Sequence, residues 1–353
     1  MKCIYCNNNA ANSDEHHFPA CLGMDKIINY RKLKGRLCEK CNIKIGKVEE
    51  QFCRCGPEAF FRVLLNISGR DYHEKVNPFY RGSAGGHGIT ITTDHPTKDC
   101  TLYCELKPGE EDCHPARQII LKDKDGKHHS ILITDCLQTP KDLEEAIKRA
   151  GIKDPALDEC WASEDEYEWI DRLTKLFNKR FERDKESPSY VTGRKQFETR
   201  FRITSYYFRA IAKIAFHYFL LHFTQFSGNE DEFSGIKKFI LEGGNVDDWV
   251  RQIKGTFLSD VAHGYTATDK YGHAIAVGKS RMVISANIIF FFGPKGFPPF
   301  FYKIYIGKNP EKIIYPEHKG HQIVYFHEPD SNGFIGRMDP LKSIPQWLLI
   351  KDV

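Results

Sequence analysis

Cys3-Ile4-Tyr5-Cys6, Asp14-Glu15-His16-His17-Phe18-Pro19 and Cys38-Glu39-Lys40-Cys41-Asn42 all stand near the start of a 353-residue chain. Two Cys-x2-Cys pairs at this separation can place four thiolates tetrahedrally around one zinc ion. Disulfides or plain buried thiols are the alternative, and two knuckles in one short segment argue against both. A bound zinc also explains how a segment with so few apolar residues could fold, since it has no core of its own.

A ribbon that only holds its shape has no need of Glu-His-His-Phe-Pro between its knuckles, nor of an Asn directly after its last Cys. Glu15-His16-x-x-Pro19 followed by Leu37-Cys38-Glu39-Lys40-Cys41-Asn42 and Gly46 resembles the HNH endonuclease family in its zinc-stapled form. The resemblance covers about residues 1–52. It implies a ββα-metal module: a β-hairpin carrying Glu15-His16, then a helix starting near Cys38 and carrying Asn42. Structural Zn2+ on Cys3, Cys6, Cys38 and Cys41 would pin one to the other. It further implies His16 as general base, with Glu15 and Asn42 as ligands of a catalytic Mg2+ or Mn2+. The chemistry asks for these types: a neutral imidazole can activate water near pH 7, and carboxylate and amide oxygens suit a hard cation. The family more often has Asp at the Glu15 position. Its middle Asn falls here on Lys32 and Leu33, with Asn29 the nearest amide. On a strand His17 would face away from His16, which makes it structural. Glu49 and Glu50, about two turns after Asn42, are candidates for a further metal ligand, although a solvated helix face is the stronger reading.

Eight basic residues between Met24 and Lys47 (Lys26, Arg31, Lys32, Lys34, Arg36, Lys40, Lys44, Lys47) face two acids, Asp25 and Glu39, in a chain of net charge +4. Beside a phosphodiesterase motif this excess suggests a phosphate-tracking surface, with Lys32, Lys34, Arg36, Lys40 and Lys44 as the expected nucleic-acid contacts.

The whole chain reads as α+β. Hydrophobic content of 41% and aromatic content of 13% mark it as globular, and the near-neutral balance argues against a histone-like coat on DNA. Residues 1–57 form the nuclease-like module, 58–138 a β-rich middle, and 139–353 helices followed by a β-sheet that recognises a target or regulates. No signal peptide precedes the zinc motif, and twelve cysteines suit a reducing cytoplasm. The most apolar stretch, Ala210 to Phe226, contains Lys213, His217 and His222, so it reads as a buried amphipathic helix and not a membrane span. Around it, Arg209-Ala-Ile-Ala-Lys-Ile-Ala215 loosely resembles a helical segment found downstream in some proteins of this HNH group.

In the middle, a glycine-rich loop over 82–88 lacks the Lys-Ser/Thr of a P-loop. Strands are expected over 89–93, 101–106, 118–121 and 129–134, with a hairpin turn at Lys124-Asp-Gly-Lys127. Cys53 and Cys55, and the set Cys100, Cys104, Cys113 and His114, read as ordinary thiols and His rather than further zinc sites. A short apolar segment spans Ala59 to Ile67. From Pro140 to about Thr256 the pattern is mostly helical, with helices over 140–149, 164–185 and 200–226 and a break at 185–189. Strands follow over 274–277, 282–292, 300–306 and 322–326, with a turn at 293–299.

These readings converge on a metal-dependent endonuclease that hydrolyses DNA, of the kind used in restriction, phage defence or mobile elements. RNA cleavage by the same site is the neighbouring reading. A non-catalytic zinc-stapled module that binds nucleic acid or protein is the reading from another class. Monomer or homodimer, and the cut-site sequence, stay open.

Overall fold

A computed structural model describes residues 1–19, 22, 32–64, 90–106, 113–133, 139–161, 171, 175, 198–200, 203–255, 271–279, 282–292, 300–310, 321–328 and 335–339. The chain is mixed α and β and divides into two compact units. One comprises Met1–Arg62, Asn66–Val76 and Ile203–Val353, the other Val63–Leu65 and Asn77–Arg202. The N-terminal motif thus groups with the last 150 or so residues.

In the first unit, β1 (Ser13–His16) pairs antiparallel with β2 (Lys32–Leu37). The register shifts between Ser13 and Glu15, where Gly35 adopts φ +56 and its N–H donates to Asp14 Oδ1 at 2.9 Å. Such a bulge needs the left-handed backbone that glycine supplies. Helix α1 (Glu39–Cys55) follows directly, with extended Cys38 at its N-cap and Glu39 in the first turn, where the helix dipole favours an acid. Cys41, Ile45, Val48 and Phe52 recur at helical spacing and are buried, while Lys40, Lys44 and Lys47 lie exposed on another face. Pro57 opens α2 (Pro57–Leu64). Gly56 sits between the two helices because any Cβ there would lie 2.5 Å from the Tyr207 ring.

Helix α4 (Ser205–His222) runs through the middle of this unit; α3 belongs to the other unit. Thr204 caps it by accepting from the Tyr206 N–H, and its side chains are buried from Arg209 through Leu220. A helix buried on every side is a core helix, more enclosed than the amphipathic one expected from sequence. It packs against α1, α5 (Ser234–Glu242) and a six-stranded antiparallel sheet. That sheet is ordered β10-β13-β12-β11-β14-β15. Its strands are β10 (Val250–Lys254), β11 (Tyr271–Lys279), β12 (Val283–Phe292), β13 (Phe300–Lys308), β14 (His321–Glu328) and β15 (Ile335–Asp339). The four expected strands are present, and β10 and β15 extend the sheet at its edges. Among the described residues no helix is long and apolar enough to cross a membrane.

In the second unit, β3 (Thr90–Asp94), β4 (Thr101–Leu106), β5 (Cys113–Pro115) and β9 (Glu198–Arg200) form one sheet in the order β5-β4-β3-β9. A second sheet, β7-β6-β8, joins β6 (Gln118–Lys122), β7 (His128–Leu132) and β8 (Ala156–Trp161). Helix α3 (Pro140–Arg149) begins with a capping box between Thr139 and Asp142. Leu143 and Ile147 on α3 share a core with Ile119, Leu121, Ile131, Ile133, Ile152 and Leu157. The Asp-Gly turn closes the β6–β7 hairpin as expected, with Gly126 at φ +86 and Asp123 accepting from the N–H groups of Asp125 and Lys127. Strand β8 corrects the reading of this stretch as helical. Its one buried apolar side chain is Leu157, too thin a signal for either periodicity, and pairing with β6 decides the conformation. Of the helix expected over 164–185, Asp171 and Lys175 are described and are helical. The glycine-rich stretch 82–88, the break at 185–189 and the turn at 293–299 lie outside the described residues.

A buried acid lies at the start of α2. The Tyr207 hydroxyl donates to Glu58 Oε1 at 2.8 Å and meets the Tyr302 hydroxyl at 2.7 Å. Burial pushes the Glu58 carboxyl up to about 8, against the pull of the Tyr207 hydrogen bond. In the unfolded chain a glutamate titrates near about 4.3. Between these values the folded state holds a proton that the unfolded state has lost, so the contribution to stability falls as pH rises. Glu58→Gln keeps an acceptor for Tyr207 and removes the titration. Its melting temperature relative to wild type should therefore climb steadily from about pH 5 to about pH 8. A difference that stays constant across that range would show that Glu58 is ionised throughout.

Candidate active site

The hairpin, the first knuckle and the start of α1 bring four sulfurs together. The Sγ atoms of Cys3, Cys6, Cys38 and Cys41 all lie within 4.8 Å of one another. Cys6 and Cys38 are 3.8 Å apart, which is the edge of a tetrahedron with Zn–S bonds of about 2.3 Å. None of the four is in a disulfide. Asn9 Nδ2 donates to Cys38 Sγ at 3.6 Å. Burial raises the Cys38 thiol, but the Cys41 N–H and the Asn9 amide outweigh it and bring its pKa down to about 6. Donor set and spacing fit a structural metal such as zinc. Among the described residues this is the one group of three or more His, Cys, Asp or Glu side chains that could hold a metal ion. Cys53, Cys100 and Cys104 lie outside it and are not in disulfides.

Glu15 and His16 close β1, and their surroundings were not legible from the motif. Lys213, from the middle of α4, is fully buried and reaches this strand end. Its Nζ donates to Glu15 Oε1 at 2.7 Å, to Glu49 Oε1 at 2.6 Å and to the His16 backbone carbonyl. All three ammonium protons are therefore used. Burial pulls the Lys213 pKa down, but the charges of Glu15 and Glu49 hold it above the ordinary lysine value. Both carboxylates keep a small opening to solvent, with side chains 13% and 15% exposed. Glu49 is thus part of an internal ion triad and not of a solvated helix face. Glu50 pairs with Arg54 on the surface of α1.

One turn further along α4, His217 Nε2 and the Tyr5 hydroxyl share a hydrogen bond of 2.7 Å. Burial, and then the Lys213 charge, hold His217 well below the usual imidazole range, so it is neutral at pH 7. His17 is buried between Phe18 and Tyr218, with ring centroids 5.1 and 5.9 Å away, in the structural position expected of it.

The other expected site residues lie on β1, β2 and α1. His16 is half-buried, and Asn42 is half-exposed in the first turns of α1, where its N–H donates to the Cys38 carbonyl. Lys32 and Lys34 project from β2 into solvent, and Lys40 and Lys44 do so from α1. Arg36 differs: its Nη1 donates to the Ser227 carbonyl at 2.8 Å, which commits part of the guanidinium to the protein itself. Asn29, Lys26 and Arg31 lie outside the described residues. The sequence offers Glu49 only as a lesser ligand candidate, and Lys213 by one faint signal, a lysine inside the apolar run Arg209–Ala215.

No family model, curated protein or solved structure matches this chain. Assignment therefore rests on the residues themselves.

The thiol cluster is the most direct arrangement to test. The purified protein should carry about one zinc per chain, and Cys38→Ser should lose most of it together with several degrees of melting temperature. Metal analysis beside thermal unfolding reads both. Full stability of a metal-free wild type would show that the thiols are merely neighbours.

Proposed function

We propose that this protein is a phosphodiester hydrolase acting on nucleic acid, with DNA as the first substrate to test, and that residues 1–55 are an HNH-type module held by structural zinc. One observation carries the reading: Glu15-His16 ends a hairpin strand that the four-thiol cluster ties to the start of the helix bearing Asn42. The order of these residues along the chain and the elements that carry them support the reading.

In this reading His16 is the general base, its imidazole taking a proton from the attacking water. Its backbone is fixed by the Lys213 hydrogen bond, so the ring is presented from a rigid strand end. Glu15 would offer Oε2, since Lys213 uses Oε1, and Asn42 would offer its amide oxygen. Such a donor set suits Mg2+ or Mn2+, which keep most of their water and need only one or two carboxylates from the protein. A cation bound there would stabilise charge on the departing oxygen. The exposed Lys32, Lys34, Lys40 and Lys44 would hold the phosphate backbone.

A second reading has its own support. The Glu15–Lys213 ion pair gives Glu15 a structural task, which would suit a zinc-stapled module that binds nucleic acid without cutting it. Plasmid nicking separates the two. Wild type should nick in Mg2+ or Mn2+ and not in EDTA, and His16→Ala, with zinc retained, should fall by about a hundredfold or more. A wild type that leaves plasmid and RNA intact in every metal, yet binds either, would establish the binding module instead.

A further inference from the structure

Lys213 cannot touch a substrate. It is fully buried, and its three donors are spent on Glu15 Oε1, Glu49 Oε1 and the His16 carbonyl. Those three acceptors are nevertheless the parts that a hydrolytic site must hold in register: the acid beside the base, the peptide of the base, and the helix that carries Asn42. An ammonium bonded to Glu15 alone would cancel the negative charge that attracts a divalent cation. Glu49 removes this difficulty. With two carboxylates and one ammonium the group sums to one negative charge, the same as an isolated Glu15.

We propose that Lys213 and Glu49 are positioning residues of the Glu15–His16 site: Lys213 locks the Glu15 carboxylate and the His16 peptide, and Glu49 neutralises Lys213 so that Glu15 keeps its charge for a divalent cation. This rests on the phosphodiesterase reading above. The physical basis is general, because a carboxylate that binds metal works best when its other oxygen is fixed by a hydrogen bond. The proposal assigns the two partners opposite electrostatic signs, which a purely structural ion pair would not have.

The experiment is direct Mn2+ binding, by electron paramagnetic resonance, to the zinc-loaded full-length protein. Wild type should bind one Mn2+ that Glu15→Gln abolishes. Glu49→Gln leaves Glu15 alone to balance Lys213 and should weaken Mn2+ by roughly tenfold or more. Glu49→Asp restores the charge and should recover most of that loss. Lys213→Met leaves two carboxylates and should bind Mn2+ at least as tightly as wild type while nicking more slowly, since the strand end is no longer fixed. If Lys213→Met loses its zinc or fails to fold, the Glu49→Gln and Glu49→Asp pair decides alone. Glu15-dependent Mn2+ binding that Glu49→Gln leaves unchanged would overturn the positioning proposal and spare the phosphodiesterase. A wild type with no Glu15-dependent Mn2+ binding would overturn both.

Discussion

The first unit is organised around one buried ammonium. Taking a lysine fully out of water costs several kcal/mol unless its charge and all three protons are matched. Lys213 meets that condition only where Glu15, Glu49 and the His16 carbonyl converge, on two elements lying 198 and 164 residues before it in sequence. The requirement works in both directions. The strand end and α1 are held to each other by a group from α4, and α4 can keep a lysine in its core only while they are in place. For a module with few apolar residues of its own, this coupling explains why it groups with residues from Ile203 onward.

The same helix repeats the device along its length. Tyr207 donates to Glu58 on α2, Arg209 Nε donates to the Ile240 carbonyl on α5, and His217 is hydrogen-bonded to Tyr5 in the first knuckle. Each polar group is buried and each is answered by a different element, so α4 is both hydrophobic core and polar spine. Apolar packing alone fixes position loosely, since similar side chains can slide past one another. Directional bonds in a low-dielectric interior fix register. Four such side chains within about three turns of helix leave little freedom in how the surrounding elements sit on it.

Legibility followed the range of the interactions. The thiol cluster and the Asp-Gly turn were readable because each is set by residues close in sequence whose spacing is itself the signal, whereas the hairpin and the helix beginning after Cys38 were expected from the family resemblance. The strands of the large sheet were readable from β-branched and aromatic runs such as Val283–Phe292. Strand β8 was not, having only Leu157 on its core side, and its conformation comes from pairing with β6. Glu49 was misjudged for a related reason. An acid on a helix two turns past Asn42 is ordinarily solvated, and only a partner 164 residues away makes it an internal group.

Zinc and Lys213 then do different work on the same pieces. A metal bound by the thiols ties the first knuckle and the end of β2 to the N-terminus of α1, through Cys38 and Cys41. The ammonium ties the end of β1 to Glu49, two turns further along that helix. One fixed point would leave the helix free to pivot against the hairpin, whereas two points separated along its axis remove that rotation. Asn42 lies between them, next to Cys41. The amide on α1 and the Glu15-His16 strand end are thereby set at a constant separation by two unlike interactions, one covalent in character and one electrostatic. A site that must place a base and a cation ligand within a fraction of an ångström needs that kind of doubly anchored frame.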